Sequence, residues 1–330
     1  MSRSVVSGTP YLTIVITGRN DDFGGDFNAR FFGALRFNHD CLRAAGIPHE
    51  FVFVEWRPIE GKPYLATLAG HAFPELSDSE LRSYVVDPAY HDALSLNPRI
   101  QFQEFIAKNV GIRRARGEFV LTTNTDIYLG RGVRDFLAGR SLSPRVLYRT
   151  PRHDLNWAGD ASSLDWDVLH DERNWEEVNH IQPPWFTNAS GDFLLLDREA
   201  YHELRGFNEV YRNAKIHMDG NFCVKAHASG MSLVNIGTPV FHVGRGTLHA
   251  QRDAYRDRPA DAPWGDIRWN STVLYENGPE WGLGDAPERI LDERVTYLEF
   301  DWRAVGPMVQ LRRVVSPGAP IARPRGAGLP

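Results

Sequence analysis

The chain has 330 residues, of which 42% are hydrophobic, and a formal net charge of −5. This composition supplies enough apolar side chains for a sizeable core, so an intrinsically disordered chain is excluded as the default. The acidic balance argues against nonspecific nucleic-acid binding, which needs a basic face.

The sequence also indicates the cellular compartment in which we expect the protein. No apolar run approaches the roughly 18–20 residues of a membrane-spanning helix, and residues 1–10 lack the apolar core of a signal peptide. Only Cys41 and Cys223 occur, each in a predicted helix, so neither a disulfide framework nor a thiolate metal site is predicted. We therefore expect a soluble, cytoplasmic protein that binds no nucleic acid and has no transmembrane segment.

The first elements in the chain form a strand–helix–strand unit. Residues 11–17 are apolar and rich in β-formers, which predicts a buried strand. Residues 28–45 carry apolar side chains at helical spacing, and residues 51–54 predict a second strand. Such a unit favours two parallel strands joined by a right-handed crossover.

The next elements are predicted from composition and breaks. Proline and glycine interrupt residues 57–98, and residues 151–190 are predicted to form a polar, irregular insertion that carries four of the nine tryptophans. Strands are predicted at 84–87, 119–121, 145–150, 191–196, 231–236 and 239–243, and helices at 99–116, 198–204 and 219–229. Residues 316–330 form a Pro/Gly-rich tail that we expect to be disordered. The pattern predicts an α/β fold.

Polar residues follow the apolar strand at 119–121 and end in Asn124-Thr125-Asp126. Open α/β sheets bind ligands at the carboxyl ends of their strands, so these side chains are candidate ligands. Taken alone, Asp126 is better explained as a cap of the next turn. Thr17, Arg19, Asn20 and Glu55 end the first two strands in the same way.

The sequence lacks the main signature motifs of two classes of nucleotide-binding protein, the dinucleotide-binding Rossmann domain and the P-loop. No G-x-G-x-x-G follows the first strand, and no G-x-x-x-x-G-K-[ST] occurs. A nucleotide would therefore be held by side chains at strand ends.

Two further polar positions stand out later in the chain. Asp219 opens the helix predicted at 219–229, where an aspartate also serves as a helix N-cap. His242 ends the strand at 239–243, and a lone histidine there is also compatible with a structural role. Arg245 follows at once as a candidate phosphate ligand.

Three stretches together resemble the GT-A nucleotide-sugar glycosyltransferases, especially the family-two inverting group. They are residues 106–129 with Asn109 and Asn124-Thr125-Asp126, residues 191–221 with Gly206-Phe207-Asn208-Glu209 and Asp219, and residues 239–247 with His242. Departures from the family pattern are Asn124, Asn208, Met218 and Asn221, and Glu55 where an Asp is usual. The resemblance implies a GT-A fold, Rossmann-like, with a mixed, mainly parallel sheet flanked by helices.

The resemblance also implies roles for single residues. Asp126 and His242 would be ligands of a divalent metal, Mn²⁺ or Mg²⁺, and Asp219 the general base. Thr17, Arg19, Asn20, Glu55, Asn109, Asn124 and Arg245 would contact the nucleotide-sugar donor. The implied reaction moves a sugar from a nucleoside-diphosphate sugar to the hydroxyl of a glycan or small-molecule acceptor, with inversion at the anomeric carbon.

We expect residues 1–250 to form the glycosyltransferase domain, with a donor half of about 1–130 and an acceptor half of about 131–250. Residues 251–330 would form a C-terminal extension. The alternatives are a retaining transferase on the same fold, in which Asp219 is not a base, and a degenerate nucleotide-sugar-binding or interaction protein. A nucleotidyltransferase on the related fold fits less well, because the loop after the first strand is not the Gly-rich, Arg-bearing phosphate loop of that class.

Overall fold

A computed structural model describes residues 8–77, 80–157, 159–212, 217–244, 274–305 and 309–310. Arg245 and the tail at 316–330 lie outside these residues, so the predictions made for them stay predictions.

The described residues form the following helices: α1 Phe27–Ala44, α2 Leu65–Ala72, α3 Pro88–Leu94, α4 Glu104–Arg113, α5 Arg131–Ala138, α6 Trp166–His170, α7 Arg198–Leu204, α8 Met218–Ala228 and α9 Trp302–Val305. They form the following strands: β1 Leu12–Gly18, β2 His49–Trp56, β3 Leu81–Val86, β4 Phe119–Thr122, β5 Ile127–Leu129, β6 Val146–Arg149, β7 Arg152–Leu155, β8 Trp175–Asn179, β9 Leu194–Asp197, β10 Ser232–Asn235, β11 Val240–Val243, β12 Glu276–Asn277, β13 Glu288–Ile290, β14 Val295–Leu298 and β15 Val309–Gln310.

The main sheet has nine strands in the order β10-β6-β9-β4-β1-β2-β3-β14-β13. The pairs β10/β6, β4/β1, β1/β2, β2/β3 and β3/β14 are parallel, whereas β9 and β13 run antiparallel to their neighbours. The predicted α/β fold with a mixed, mainly parallel sheet is therefore confirmed. The carboxyl ends of β1, β2 and β4 meet at one edge, where α/β folds bind ligands.

Both faces of the sheet are covered, which explains why its central strands are apolar throughout. Along β2, Val52 and Val54 pack in the core beneath α4, α7 and α8. Phe51 and Phe53 alternate with them and pack in the second core beneath α1, α2 and α5. A strand that is buried on both faces lacks the apolar–polar alternation of a half-exposed strand. In the sequence it is recognised instead as a short apolar run rich in β-branched and aromatic residues.

A second sheet of four strands, in the order β5-β11-β7-β8, lies beside α1 and carries one side of the candidate site. Two of its strands, β7 and β8, fall within residues 151–190, so the prediction of an irregular insertion was wrong there. These strands are short and polar because charged side chains such as Arg152 and Asp154 pair with one another inside the protein. Trp185 from this region is buried against Val224 and Leu274.

The chain beyond residue 273 returns to the main sheet. β14 pairs with β3, and β13 follows it at the edge. Arg113 and Arg114, at the end of α4, donate hydrogen bonds of 2.9 Å to the carbonyls of Trp281 and Gly282. The boundary expected near residue 250 stays a prediction, but the described part of the C-terminal segment packs on the same sheet as the rest.

Both cysteines are buried thiols in helices α1 and α8, as predicted. In the described ranges, no helix combines the length and hydrophobicity that crossing a bilayer requires.

Candidate active site

The carboxylate of Asp126 lies just after β4, at the sheet edge where the parallel strands end, and the residue is only 9% exposed. Its Oδ2 accepts a hydrogen bond from the guanidinium of Arg30 on α1. The same oxygen is 3.4 Å from Nε2 of His242. Strand β11 brings the histidine there, because it pairs antiparallel with β5 and places His242 opposite Ile127. The structure therefore brings together the two predicted metal ligands.

His242 is oriented from behind by a second carboxylate. Its Nδ1 lies 2.6 Å from Oδ1 of Asp154, the residue facing it on the parallel neighbour β7. Oδ2 of Asp154 accepts hydrogen bonds from Arg152 at 2.9 Å and from Asn179 at 2.6 Å. A carboxylate on one ring nitrogen aims the other toward a metal, which is the usual support of metal-binding histidines. Nε2 of His242 accordingly faces Asp126.

The charges in this cluster set the protonation states. Burial alone would raise the pKa of Asp126, but the adjacent His242 and Arg30 outweigh it and hold that pKa below its ordinary value. Burial alone would lower the pKa of His242, but Asp126 and Asp154 outweigh it and raise that pKa. In the metal-free protein the imidazole is therefore a cation between two carboxylates.

Asn124, at the first position of the Asn124-Thr125-Asp126 motif, is bound to the protein on both sides. Its Nδ2 donates to Oδ1 of Asp192 at 2.7 Å, and its Oδ1 accepts from Nζ of Lys108 at 2.8 Å. Lys108 is fully buried and also donates to Glu104 at 2.8 Å and to the carbonyl of Gly191 at 2.9 Å. The amide thus fixes the turn around Gly191 against α4.

That turn positions Asp219, in the first turn of α8. Oδ2 of Asp219 accepts a hydrogen bond of 2.6 Å from the backbone N–H of Gly191 and one of 2.7 Å from the hydroxyl of Ser190. The N-cap position belongs to His217, so the alternative that Asp219 caps α8 was wrong. Both bonds fall on Oδ2, and no residue in the described ranges donates to Oδ1. Among the described residues the carboxylate is held through Oδ2 alone, so Oδ1 is the candidate contact for a ligand.

A fully buried arginine supports the same turn. Arg149, at the end of β6, donates to the backbone carbonyls of four residues in the loop: Phe186, Asn188, Ser190 and Phe193. Asp192 in this turn also pairs with Arg152 at 2.6 Å. Because Arg152 pairs with Asp154 as well, one chain of polar contacts runs from Asp219 to the Asp126–His242 pair. Sequence reasoning missed these arginines, because both reach partners in the 186–193 loop, 37 to 44 residues farther along the chain.

The residues predicted at the ends of β1 and β2 lie at the same sheet edge but differ in their contacts. Thr17 is 5% exposed, and its Oγ1 has no hydrogen-bond partner among the described residues. Arg19 donates to the carbonyl of Arg57 at 3.0 Å, and Asn20 donates to that of Pro63 at 2.9 Å. Arg19 and Asn20 therefore hold the connection after β2 in place.

Two predicted nucleotide ligands, Glu55 and Asn109, are buried inside the protein. Glu55 is fully buried, accepts a 2.9 Å hydrogen bond from the N–H of Ala66 at the start of α2, and has a pKa raised by burial to about 7. Asn109 is also fully buried, with its amide bonded to Phe207 and Glu209 at 2.8 and 2.9 Å. Asn109 presents no surface and its amide is bonded within the protein, whereas Oε1 of the buried Glu55 has no hydrogen-bond partner among the described residues.

A cavity of about 230 Å³ lies beside Arg30, the residue that contacts Asp126. It is lined by Arg30 and Ala29 of α1, by the loop residues Trp157 and Asp160, and by Gly244 directly after β11. Its volume is below the roughly 300–1,000 Å³ of pockets that enclose a whole drug-sized ligand. It therefore has room for part of a ligand that is also held at the carboxyl ends of the strands.

No protein-family model matches the chain, and no curated protein matches it. Among solved structures, the chain is similar to the catalytic domain of Drosophila β1,4-galactosyltransferase 7 in complex with xylobiose, with 13% identity, 88% of this chain and 95% of that chain covered, and a TM-score of 0.39.

Two further solved structures are similar. One is the mannosyltransferase PcManGT from Pyrobaculum calidifontis with GDP-Man and Mn²⁺, at 19% identity, covering 79% of this chain and 69% of that chain, with a TM-score of 0.43. The other is GalNAc-T7 with UDP, GalNAc and Mn²⁺, at 12% identity, covering 72% of this chain and 45% of that chain, with a TM-score of 0.46.

Proposed function

We propose that this chain is a metal-dependent glycosyltransferase that moves a sugar from a nucleoside-diphosphate sugar to an acceptor hydroxyl with inversion. One observation carries the proposal. The turn at residues 190–192 holds the carboxylate of Asp219 and also joins the polar chain that ends at Asp126 and His242. One chain of polar contacts thereby positions both a base and a pair of metal ligands at the ligand-binding edge of the sheet.

The donor atoms fit a divalent cation that arrives with a diphosphate. Asp126 supplies a carboxylate oxygen and His242 an imidazole nitrogen, a mixed set suited to Mn²⁺ or Mg²⁺. In the described ranges, no group of three or more His, Cys, Asp or Glu side chains forms a complete metal site. Phosphate oxygens and water would complete the coordination, as in sites that bind Mg²⁺ through substrate phosphates. The cation would neutralise charge on the departing diphosphate.

Asp219 has the features of a general base. The N–H of Gly191 and the hydroxyl of Ser190 fix its orientation through Oδ2. Oδ1 accepts the proton of the acceptor hydroxyl while the hydroxyl oxygen attacks the anomeric carbon and the nucleoside diphosphate leaves from the opposite side. A single displacement of this kind inverts the anomeric configuration.

The donor's nucleoside would lie at the ends of β1 and β2. Thr17 offers a buried hydroxyl without a partner among the described residues, and such a group is commonly satisfied by a ligand. Arg19 and Asn20 border the same edge. In this proposal, Glu55, Asn109 and Asn124 shape the site from beneath, and Arg245 is a further phosphate ligand. The degenerate-binding alternative rests on Asn124, Asn208, Met218 and Asn221; Asn124 instead performs a structural task here.

Thermal shift with nucleoside diphosphates tests the proposal directly. Binding to the native state raises its stability by an amount that grows with saturation. We expect at least one nucleoside diphosphate to raise Tm in the presence of Mn²⁺, and expect EDTA to abolish the shift. A panel of diphosphates that leaves Tm unchanged with and without Mn²⁺ would contradict the assignment.

His242→Gln tests the second metal ligand. The variant keeps a hydrogen-bonding amide but has no imidazole, so the Mn²⁺-dependent gain in nucleotide affinity should fall at least about tenfold. Stability should fall by about 1–3 kcal/mol, because hydrogen bonds to charged groups are lost. Calorimetric titrations well below Tm separate the two effects, with the exposed His227→Gln as the control. An unchanged ratio of affinities with and without Mn²⁺ would make His242 purely structural.

A further inference from the structure

Arg30 occupies the oxygen that a metal at this site would use. Its side chain is 9% exposed, and its Nη1 donates to Oδ2 of Asp126, the oxygen that faces His242. Sequence reasoning did not single out this residue, because an arginine in the first half of a helix is ordinarily a solvated side chain. The buried carboxylate already has a resident cation in the metal-free protein.

The same guanidinium holds the loop before α1. Nε donates to the carbonyl of Gly25 at 3.1 Å, and Nη2 donates to the carbonyl of Phe23. This loop contains four residues with positive φ, namely Asp22, Gly24, Gly25 and Asp26, so few ordinary backbone conformations support it. The conformation of this loop therefore depends in part on Arg30 remaining in the position that its contact with Asp126 fixes.

We propose that Arg30 is the resident counter-ion of Asp126, that a divalent cation displaces it from Oδ2, and that the released guanidinium binds the donor's diphosphate in the adjoining cavity. The inference rests on the proposed function and adds a residue to that site. A dication and a guanidinium repel each other at contact distance, and one carboxylate oxygen does not serve both at full strength. Arg30 already lines the cavity, so the guanidinium has space to turn into it.

Arg30 is the one basic side chain among the described residues that line the cavity, which also include the acidic Asp26 and Asp160. A guanidinium pairs with phosphate through two parallel N–H donors, and this geometry makes arginine well suited to diphosphate. The metal would bring a diphosphate to Asp126, next to the Arg30 guanidinium that the metal has displaced. Metal binding and phosphate binding would then be coupled through Arg30, with the 22–26 loop released in the exchange.

Manganese binding without nucleotide tests the exchange. We would titrate Mn²⁺ into the wild-type protein, Arg30→Met and Arg30→Lys and measure free Mn²⁺ by electron paramagnetic resonance. Arg30→Met removes one of the two cations beside Asp126 and should bind Mn²⁺ at least about tenfold more tightly, whereas Arg30→Lys should remain close to wild type. Arg36→Met is the matched control: Arg36 is on the same helix and pairs with the exposed Glu75 at 2.6 Å. It should leave Mn²⁺ affinity unchanged.

Equal or weaker Mn²⁺ binding by a cooperatively melting Arg30→Met protein would overturn the inference, and so would an equal gain in Arg36→Met. Hydrogen exchange gives a test on the wild-type protein alone, should Arg30→Met fail to fold. Mn²⁺ should speed amide exchange in residues 22–26, and unchanged or slower exchange would refute the displacement.

The proposed contact between Arg30 and the diphosphate is tested by measuring nucleoside-diphosphate affinity by calorimetry at saturating Mn²⁺. Arg30→Met should bind nucleoside diphosphate roughly tenfold more weakly than wild type, and equal affinity would refute the phosphate role. The titrations also separate two failures. Metal-dependent nucleotide binding by the wild type, with no gain of Mn²⁺ affinity in Arg30→Met, removes only the Arg30 inference. Absence of nucleotide binding in every form removes the proposed function as well.

Discussion

Asp219→Asn should reduce turnover by roughly 10²–10⁴-fold, the usual contribution of a positioned general base. Both hydrogen bonds to the native side chain fall on Oδ2, and the amide oxygen of asparagine can accept the same two from Ser190 and Gly191. The fold and the turn should therefore survive, while the proton of the acceptor loses its destination. Donor affinity should barely change, because the lost function is needed only in the transition state.

The measurement is turnover and donor affinity on one purified variant, with the exposed Asp135→Asn on α5 as a control for loss of one negative charge. Determining the anomeric configuration of the product completes the test. Near-normal turnover in Asp219→Asn, or a product that retains the donor's configuration, would rule out Asp219 as the base and favour the retaining alternative.

Asp126→Asn should weaken Mn²⁺-dependent binding of nucleoside diphosphate by about 100-fold or more, since a neutral amide replaces the anionic ligand of the cation. Asparagine is preferable to alanine here. Removal of the whole side chain would leave Arg30 and His242 as buried cations without their shared partner, and an uncompensated buried charge typically costs about 3–5 kcal/mol.

Calorimetry with Mn²⁺ and with EDTA checks this result, again beside Asp135→Asn. The wild type and the control should bind nucleotide more tightly with Mn²⁺, and Asp126→Asn should bind equally weakly in both conditions. A variant that keeps its full response to Mn²⁺ would remove Asp126 from the metal site.

The sequence predicted the elements of the main sheet before residue 250 well because their apolar residues carry the pattern, but it did not predict β13 and β14. Strands β1, β2 and β4 and helices α1, α7 and α8 lie within a few residues of their predicted bounds. In the second sheet, β11 was predicted at 239–243, but β7 and β8 were missed. Its strands β7 and β8 are short and hold buried charges such as Asp154, so they lack the apolar signature of a strand.

Within the candidate site, the sequence identified residues but not their partners. Asp126, His242 and Asp219 lie at element ends and were recognised as candidates through the resemblance to the GT-A family. Arg30 and Asp154 were not, because their contacts span 96 and 88 residues of chain. Asn109 was assigned to the nucleotide, whereas in the structure it binds the turn at 207–209 beneath α4. A residue's type and spacing do not tell which side of a helix faces the cleft.

The central claim is most directly tested by incubating the wild-type protein with a panel of nucleoside-diphosphate sugars and Mn²⁺ and measuring released nucleoside diphosphate. Transfer to water gives a readout that needs no knowledge of the acceptor. The account predicts slow, enzyme-dependent release from at least one donor, lost in EDTA and restored by added Mn²⁺. Failure of every donor to be bound or cleaved, with and without Mn²⁺, would contradict it.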